Sequence, residues 1–155
     1  MTVVNSKRIQ SELIVKSKTE TYLSWVIKIL RSKKNIRKKY YVTNGVPIMN
    51  LVRSLLYHIT LANYIELDSD EDNFNSRMHE HDKSFECIFK LEAEFMVIHK
   101  LNYIKSKSYD YMCRALGNIR KCLKNWRNSD IRRFMAMKER EKKENKKKNK
   151  KSLSD

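Results

Sequence analysis

The chain has 155 residues, 2 Gly, 1 Pro and a formal net charge of +16. That length fits one domain with one real core, and so few breakers argue for long helices and against a sheet protein built on many turns. No run of about 18 apolar residues exists, which excludes a membrane-spanning helix. The N-terminus lacks an apolar stretch followed by a small-residue cleavage site, so a cytoplasmic protein is expected. Cys87, Cys113 and Cys122 form no CxxC pair, so neither a zinc site nor a disulfide framework is indicated and buried free thiols are expected.

A first helix is predicted from about Ser11 to Ser32. Val15, Thr19, Tyr22, Val26 and Ile29 repeat at helical spacing, and Leu23, Ile27 and Leu30 widen the face. A basic turn follows: Lys33, Lys34, Arg37, Lys38 and Lys39, then Tyr40 and Tyr41. Such a turn suits phosphate contact, with a tyrosine either stacking on a base or packing back onto the protein. Thr43-Asn44-Gly45-Val46-Pro47 is the clearest punctuation. Pro47 suits a helix's first turn and pushes Val46 towards an extended conformation.

The second helix is predicted to run to about Leu67, with Ile48, Leu51, Leu55, Ile59 and Ala62 as its seam and His58 a satisfied side chain beside it. Glu66 to Asp72 holds five acids in seven residues, lacks EF-hand spacing and reads as an acidic, mobile connection. His79 and His81 lie two apart, which points them in different directions on a helix and argues against a metal site. The third helix is predicted over about Arg77 to Leu101. Its seam is Phe85, Ile88, Leu91, Phe95 and Ile98, thickened by Phe89 and Met96, with Glu86, Glu92 and Glu94 as surface charge.

Tyr109 to Trp126 is the most regular stretch, preceded by Ser106 or Ser108 as N-cap. Met112, Leu116, Ile119, Leu123 and Trp126 draw one narrow apolar seam, while Arg114, Arg120, Lys121, Lys124 and Arg127 crowd the rest of the helix. Gly117 stands mid-helix, where it costs roughly 1 kcal/mol relative to Ala, and predicts another helix passing close. Asn128-Ser129-Asp130 reads as a break or a new cap, which divides a bundle at residues 1–128 from a basic tail at 129–155. The tail starts amphipathic around Arg132 and Arg133. Residues 138–151 then hold nine basic residues against three acids, helical in part and disordered at the end.

The charge is uneven. Residues 1–40 carry +9, residues 41–104 carry −5 and residues 105–155 carry +12. If the two basic thirds meet in space, they present one positive surface that attracts nucleic acid or an acidic membrane. The fold class expected is all-α, an antiparallel up-down four-helix bundle with a basic C-terminal tail. The residues expected on the nucleic acid are Lys33, Lys34, Arg37, Lys38, Lys39, Arg114, Arg120, Lys121, Lys124, Arg127, Arg132 and Arg133. No catalytic residue, metal or cofactor is expected. Tyr57, Tyr64 and Phe74 lie outside the four seams and are candidates for a subunit interface.

The order of these pieces resembles the accessory variability determinant family of diversity-generating retroelements. The resemblance covers about residues 12–128. It rests on Leu13-Ile14-Val15 with Tyr22, on the basic turn Ile36-Arg37-Lys38-Lys39-Tyr40, on Leu61-Ala62-Asn63-Tyr64, and on Tyr109 to Trp126. Arg120 and Lys124 depart from it, standing where small residues are usual. The resemblance implies a non-catalytic, pentameric accessory protein. Such a protein binds a reverse transcriptase with its template RNA and cDNA, and supports mutagenic cDNA synthesis. The proteins encoded in intervening sequences of bacterial 23S ribosomal RNA genes resemble the chain in fold and basic character and imply general nucleic-acid binding. Adsorption of the basic tail to an acidic membrane surface is a third reading, without insertion.

Overall fold

The computed structural model describes residues 3–32 and 40–151. Among them the chain forms four α-helices: α1 (Val3–Arg31), α2 (Val46–Tyr64), α3 (Glu71–Lys100) and α4 (Ser106–Lys151). α1 packs on α2 and α4, and α3 packs on α2 and α4. Each helix therefore needs an apolar stripe wide enough for two neighbours, which the predicted seams supply.

Val15, Thr19, Tyr22, Val26, Ile29 and Leu30 of α1 are buried, as are Ile48, Met49, Val52, Leu55, Ile59 and Ala62 of α2. Ile88, Leu91, Phe95 and Ile98 of α3 meet Met112, Leu116, Ile119, Leu123 and Trp126 of α4 in the same core. Burying each large side chain stabilises the fold by roughly 1.5–3 kcal/mol. Tyr22 ties three helices together. Its ring lies edge-on to Phe95 at 6.5 Å, and its hydroxyl donates to the Met112 carbonyl at 3.4 Å. Burial, then the nearby Cys113 and Glu92, pushes its pKa far up, so it stays a neutral donor. Two predicted core residues are outside: Phe89 is 58% and Met96 45% exposed. Each lies next to a seam residue or its flank, and one step along a helix turns a side chain about 100° away.

The helix ends show where local chemistry wins. The expected break at 43–47 is instead a wide π turn, Tyr41–Gly45, and Val46 opens α2 without an extended step. Pro47 explains the widening, because its ring would clash with the carbonyl four residues back in a regular helix. The acidic connection is ordered as a cap. Asp70 Oδ1 accepts from the Asp72 N–H at 3.0 Å, and Asp68 Oδ1 accepts from the Asp70 N–H at 3.0 Å. Glu71 and Asp72 then occupy the first turn of α3, where negative charge complements the helix dipole. α3 therefore starts six residues before the expected Arg77. It ends in a Schellman motif: Asn102 has φ 55°, its N–H reaches the His99 carbonyl and the Tyr103 N–H reaches Ile98, each at 2.9 Å.

α4 overturns three expectations. Neither predicted serine precedes the helix as its cap: Ser106 is its first residue, and the Lys105 carbonyl accepts the N–H groups of Ser108 and Tyr109. No break occurs at 128–130, where α4 runs on to Lys151 with Asp130 and Phe134 buried. Phe134 stacks on Phe74 of α3 at 4.0 Å, which removes Phe74 from the candidates for a subunit interface. Tyr57 and Tyr64 remain exposed. The predicted close approach at Gly117 is also absent, since a Cβ built there meets nothing within 4 Å.

Candidate nucleic-acid interface

At 46 residues, α4 is about 69 Å long, and its sides differ in charge. The inner side continues its seam past Trp126 into a buried polar cluster. Arg77 Nε donates to Asp130 Oδ2 at 2.7 Å, while Arg77 Nη1 donates to the carbonyls of Ala62 at 2.8 Å and Ile65 at 2.7 Å. One guanidinium thus closes the C-terminal end of α2 and neutralises a carboxylate of α4. His81 Nε2 lies 3.2 Å from the same Asp130 oxygen, and its ring stands edge-on to Trp126 at 4.4 Å. Arg77 also covers the Trp126 ring at 5.3 Å. Burial alone would raise the Asp130 pKa, but hydrogen bonds from His81 and Arg77 outweigh it and hold the carboxyl below its usual range. Arg77, His81 and Asp130 are all fully buried, so this cluster is a device of the fold rather than a surface for chemistry.

The side of α4 facing α3 is neutralised. Arg120 pairs with Glu92 at 3.0 Å, Arg127 with Asp82 at 3.2 Å and Lys138 with Glu71 at 3.2 Å. The acids come from the negative middle third of the chain. Within α3, Glu86 lies between Lys90 at 2.7 Å and Lys83 at 3.0 Å. Hydrogen bonds from Lys90 and then Lys83 lower its pKa to about 2.

The outer side of α4 is different. Lys107, Arg114, Lys121, Lys124 and Arg132 are exposed. Among the described residues none of the five has a carboxylate within ion-pair distance. Arg114 Nε reaches only the Asp110 carbonyl, at 3.3 Å. Lys107, Arg114 and Lys121 recur every seven residues, which holds them on one stripe. α1 lies alongside α4 and adds exposed Lys18 and Lys28, so the described part of the first basic third lies against the last.

The predicted interface therefore divides. Arg114, Lys121, Lys124 and Arg132 share the open side. Arg120 and Arg127 are held by acids of α3, and Arg133 lies 3.5 Å from Asp130. Lys33, Lys34, Arg37, Lys38 and Lys39 lie outside the described residues. Tyr40, a candidate for base stacking, stacks on Tyr103 at 3.8 Å instead. His58 pairs with Glu80 at 2.7 Å.

Sequence reasoning missed Lys107, Lys18 and a pair of aromatics, Trp25 and Tyr111, which meet between α1 and α4 at 4.0 Å. Each aromatic directly precedes a seam residue, Val26 or Met112, and that offset was the available signal. Among the described residues no helix is long and apolar enough to cross a membrane. No family model matches the chain, and no curated protein or solved structure matches it.

Proposed function

We propose that the protein is a non-catalytic, nucleic-acid-binding scaffold whose working surface is the outer side of α4 with the adjoining edge of α1. The observation that carries this reading is the stripe of exposed cations without carboxylate partners among the described residues, on a helix whose flank facing α3 pairs Arg120, Arg127 and Lys138 with acids. Uncompensated cations at regular spacing suit phosphates, which carry most of the affinity for nucleic acid. In this reading the helices run up-down-up-down, and the basic stretch after residue 138 adds sequence-independent attraction.

The partners are those that the resemblance implies: a reverse transcriptase, its template RNA and the cDNA, with the protein supporting mutagenic cDNA synthesis as a cytoplasmic homopentamer. Exposed Tyr57 and Tyr64 are the apolar side chains offered to a subunit interface, and a strictly monomeric sedimentation profile rules that use out.

The test is binding to RNA across a salt series. If about six phosphates are neutralised, log affinity falls against log salt with a slope near −4 to −5. A salt-insensitive interaction overturns the reading. Co-purification with a reverse transcriptase encoded beside this chain, with and without nuclease, then separates direct contact from bridging by RNA.

A further inference from the structure

A groove of about 230 Å³ lies between α1 and α4, lined by Lys18, Thr21, Tyr22, Trp25, Tyr111 and Asn118 among others. It is smaller than the roughly 300–1,000 Å³ typical of drug-sized ligand sites, so it suits one ring system rather than a whole cofactor. Trp25 and Tyr111 form its aromatic wall, with centroids 4.0 Å apart and planes tilted by 39°. Tyr111 is 48% exposed, which leaves ring surface open to a partner.

The polar groups around that wall are of the kinds that read a base and hold a phosphate. Thr21 donates its hydroxyl proton to the Ser17 carbonyl at 2.9 Å, which leaves its oxygen free to accept. Asn118 is exposed and brings both a donor and an acceptor. The Lys18 ammonium has the Cys122 sulfur at 3.3 Å, a weak acceptor that leaves its charge uncompensated. Arg114 follows Tyr111 by three residues and Lys121 follows Asn118 by three, so each cation stands about one turn further along α4.

We infer that this groove takes one unpaired base of a single-stranded nucleic acid, stacked on the open ring surface of Tyr111 beside Trp25, with its neighbouring phosphates on Lys18, Arg114 and Lys121. The inference rests on the reading of α4 as a nucleic-acid surface and narrows it to single strands. Every base has a face that can stack on an aromatic side chain, whatever the sequence. In a duplex those faces are covered by neighbouring base pairs, and exposing one costs a few kcal/mol.

The experiment uses the full chain, with an unstructured single-stranded RNA and an RNA duplex of equal length, both labelled for fluorescence anisotropy. Tyr111→Ala is expected to weaken single-strand binding roughly 5- to 150-fold, the range for losing one stacked base, and to leave duplex binding and the salt slope unchanged. Tyr111→Phe is expected to retain binding, because stacking needs the ring and not the hydroxyl. The chain's two tryptophans give a second readout. Trp25 lines the groove while Trp126 is buried, so single-stranded RNA should quench emission from the native chain and not from Trp25→Phe.

Equal loss on both ligands, no loss, or quenching that persists in Trp25→Phe each overturns the inference while leaving the basic surface standing. Failure of the native chain to bind either RNA overturns the surface itself, and the groove reading with it.

Discussion

Asp130 and Arg132 stand two residues apart on α4, and their charges have opposite fates. Asp130 is sealed between Arg77 and His81, while Arg132 is exposed without a carboxylate partner among the described residues. The same contrast divides the flanks of the helix, since Arg120, Arg127 and Lys138 meet acids of α3 whereas Lys121 and Lys124 meet none among the described residues. Charge count therefore says little about this protein until the partners are known. Buried, paired charges fix how the helices meet, and exposed cations without such partners are what remains to attract something else. Surface ion pairs such as Arg120 with Glu92 contribute about 0–1 kcal/mol, so the flank facing α3 matters more for charge cancellation than for stability.

The largest effect should come from the buried cluster. Asp130→Ala leaves the Arg77 guanidinium without its carboxylate in a site closed to water, and stability should fall by about 3–5 kcal/mol, read from a urea midpoint. Arg132→Ala, on the outer side, should change it by less than about 0.5 kcal/mol. Similar losses from the two would break the comparison. The cluster also carries a pH signature. Its carboxyl is held below the usual range in the fold, so its contribution is fully present above the unfolded value of about 3.9 and is lost as pH falls through the lower folded value. Asp130→Asn should flatten that acid limb of the stability profile, and an unchanged limb would assign it to other carboxylates.

A smaller effect, on affinity rather than folding, should separate the two flanks. Replacing Lys121 and Arg132 by Gln should reduce the salt slope of single-strand binding by about 0.7 per lost contact. The double variant Arg120→Gln with Arg127→Gln should leave the slope nearly unchanged, because Glu92 and Asp82 already neutralise those cations. If the second pair matters as much as the first, the acids of α3 release their partners on binding and the division between flanks does not hold.

How much of this was readable in advance depended on the periodicity of each feature. The seam of α4 was legible residue by residue, because Met112 to Trp126 repeats a strict pattern that one packing solution satisfies. Its continuation was harder to see, because the next seam position is Asp130, and a carboxylate in that place looks like a cap. Arg77, His81 and Ser84 hide the start of the α3 seam in the same way: all three are buried, at spacings of four and three that lead to Ile88. A buried polar residue obeys helical spacing but not hydropathy, so a pattern built on apolar residues stops one or two turns early. The candidate interface was half legible. Sequence can count cations along a helix, but it cannot assign Glu92 to Arg120 or Asp82 to Arg127, since those pairs form only when α3 lies against α4. The offset of Trp25 and Tyr111 from their seams marks each as a boundary residue, but their meeting depends in the same way on α1 lying against α4.

Gly117 offers the smallest and most direct test of what flanks α4. A glycine in a helix interior loses more backbone freedom on folding than any other residue, so its presence invites the idea of a neighbour too close for a side chain. No such neighbour is found: a Cβ at Gly117 has no atom within 4 Å, and the residue's φ is not positive. Alanine should then fit without strain, and the gain comes from narrowing the unfolded ensemble and from better helix propensity. Gly117→Ala should raise stability by about 0.4–1 kcal/mol, measured as a shift in the denaturant midpoint at constant slope. A loss of stability instead would mean that this flank is covered in solution, and a second copy of the chain packed across it would then be the first thing to look for. That outcome would show as a concentration-dependent midpoint, which a strictly intramolecular cause cannot produce.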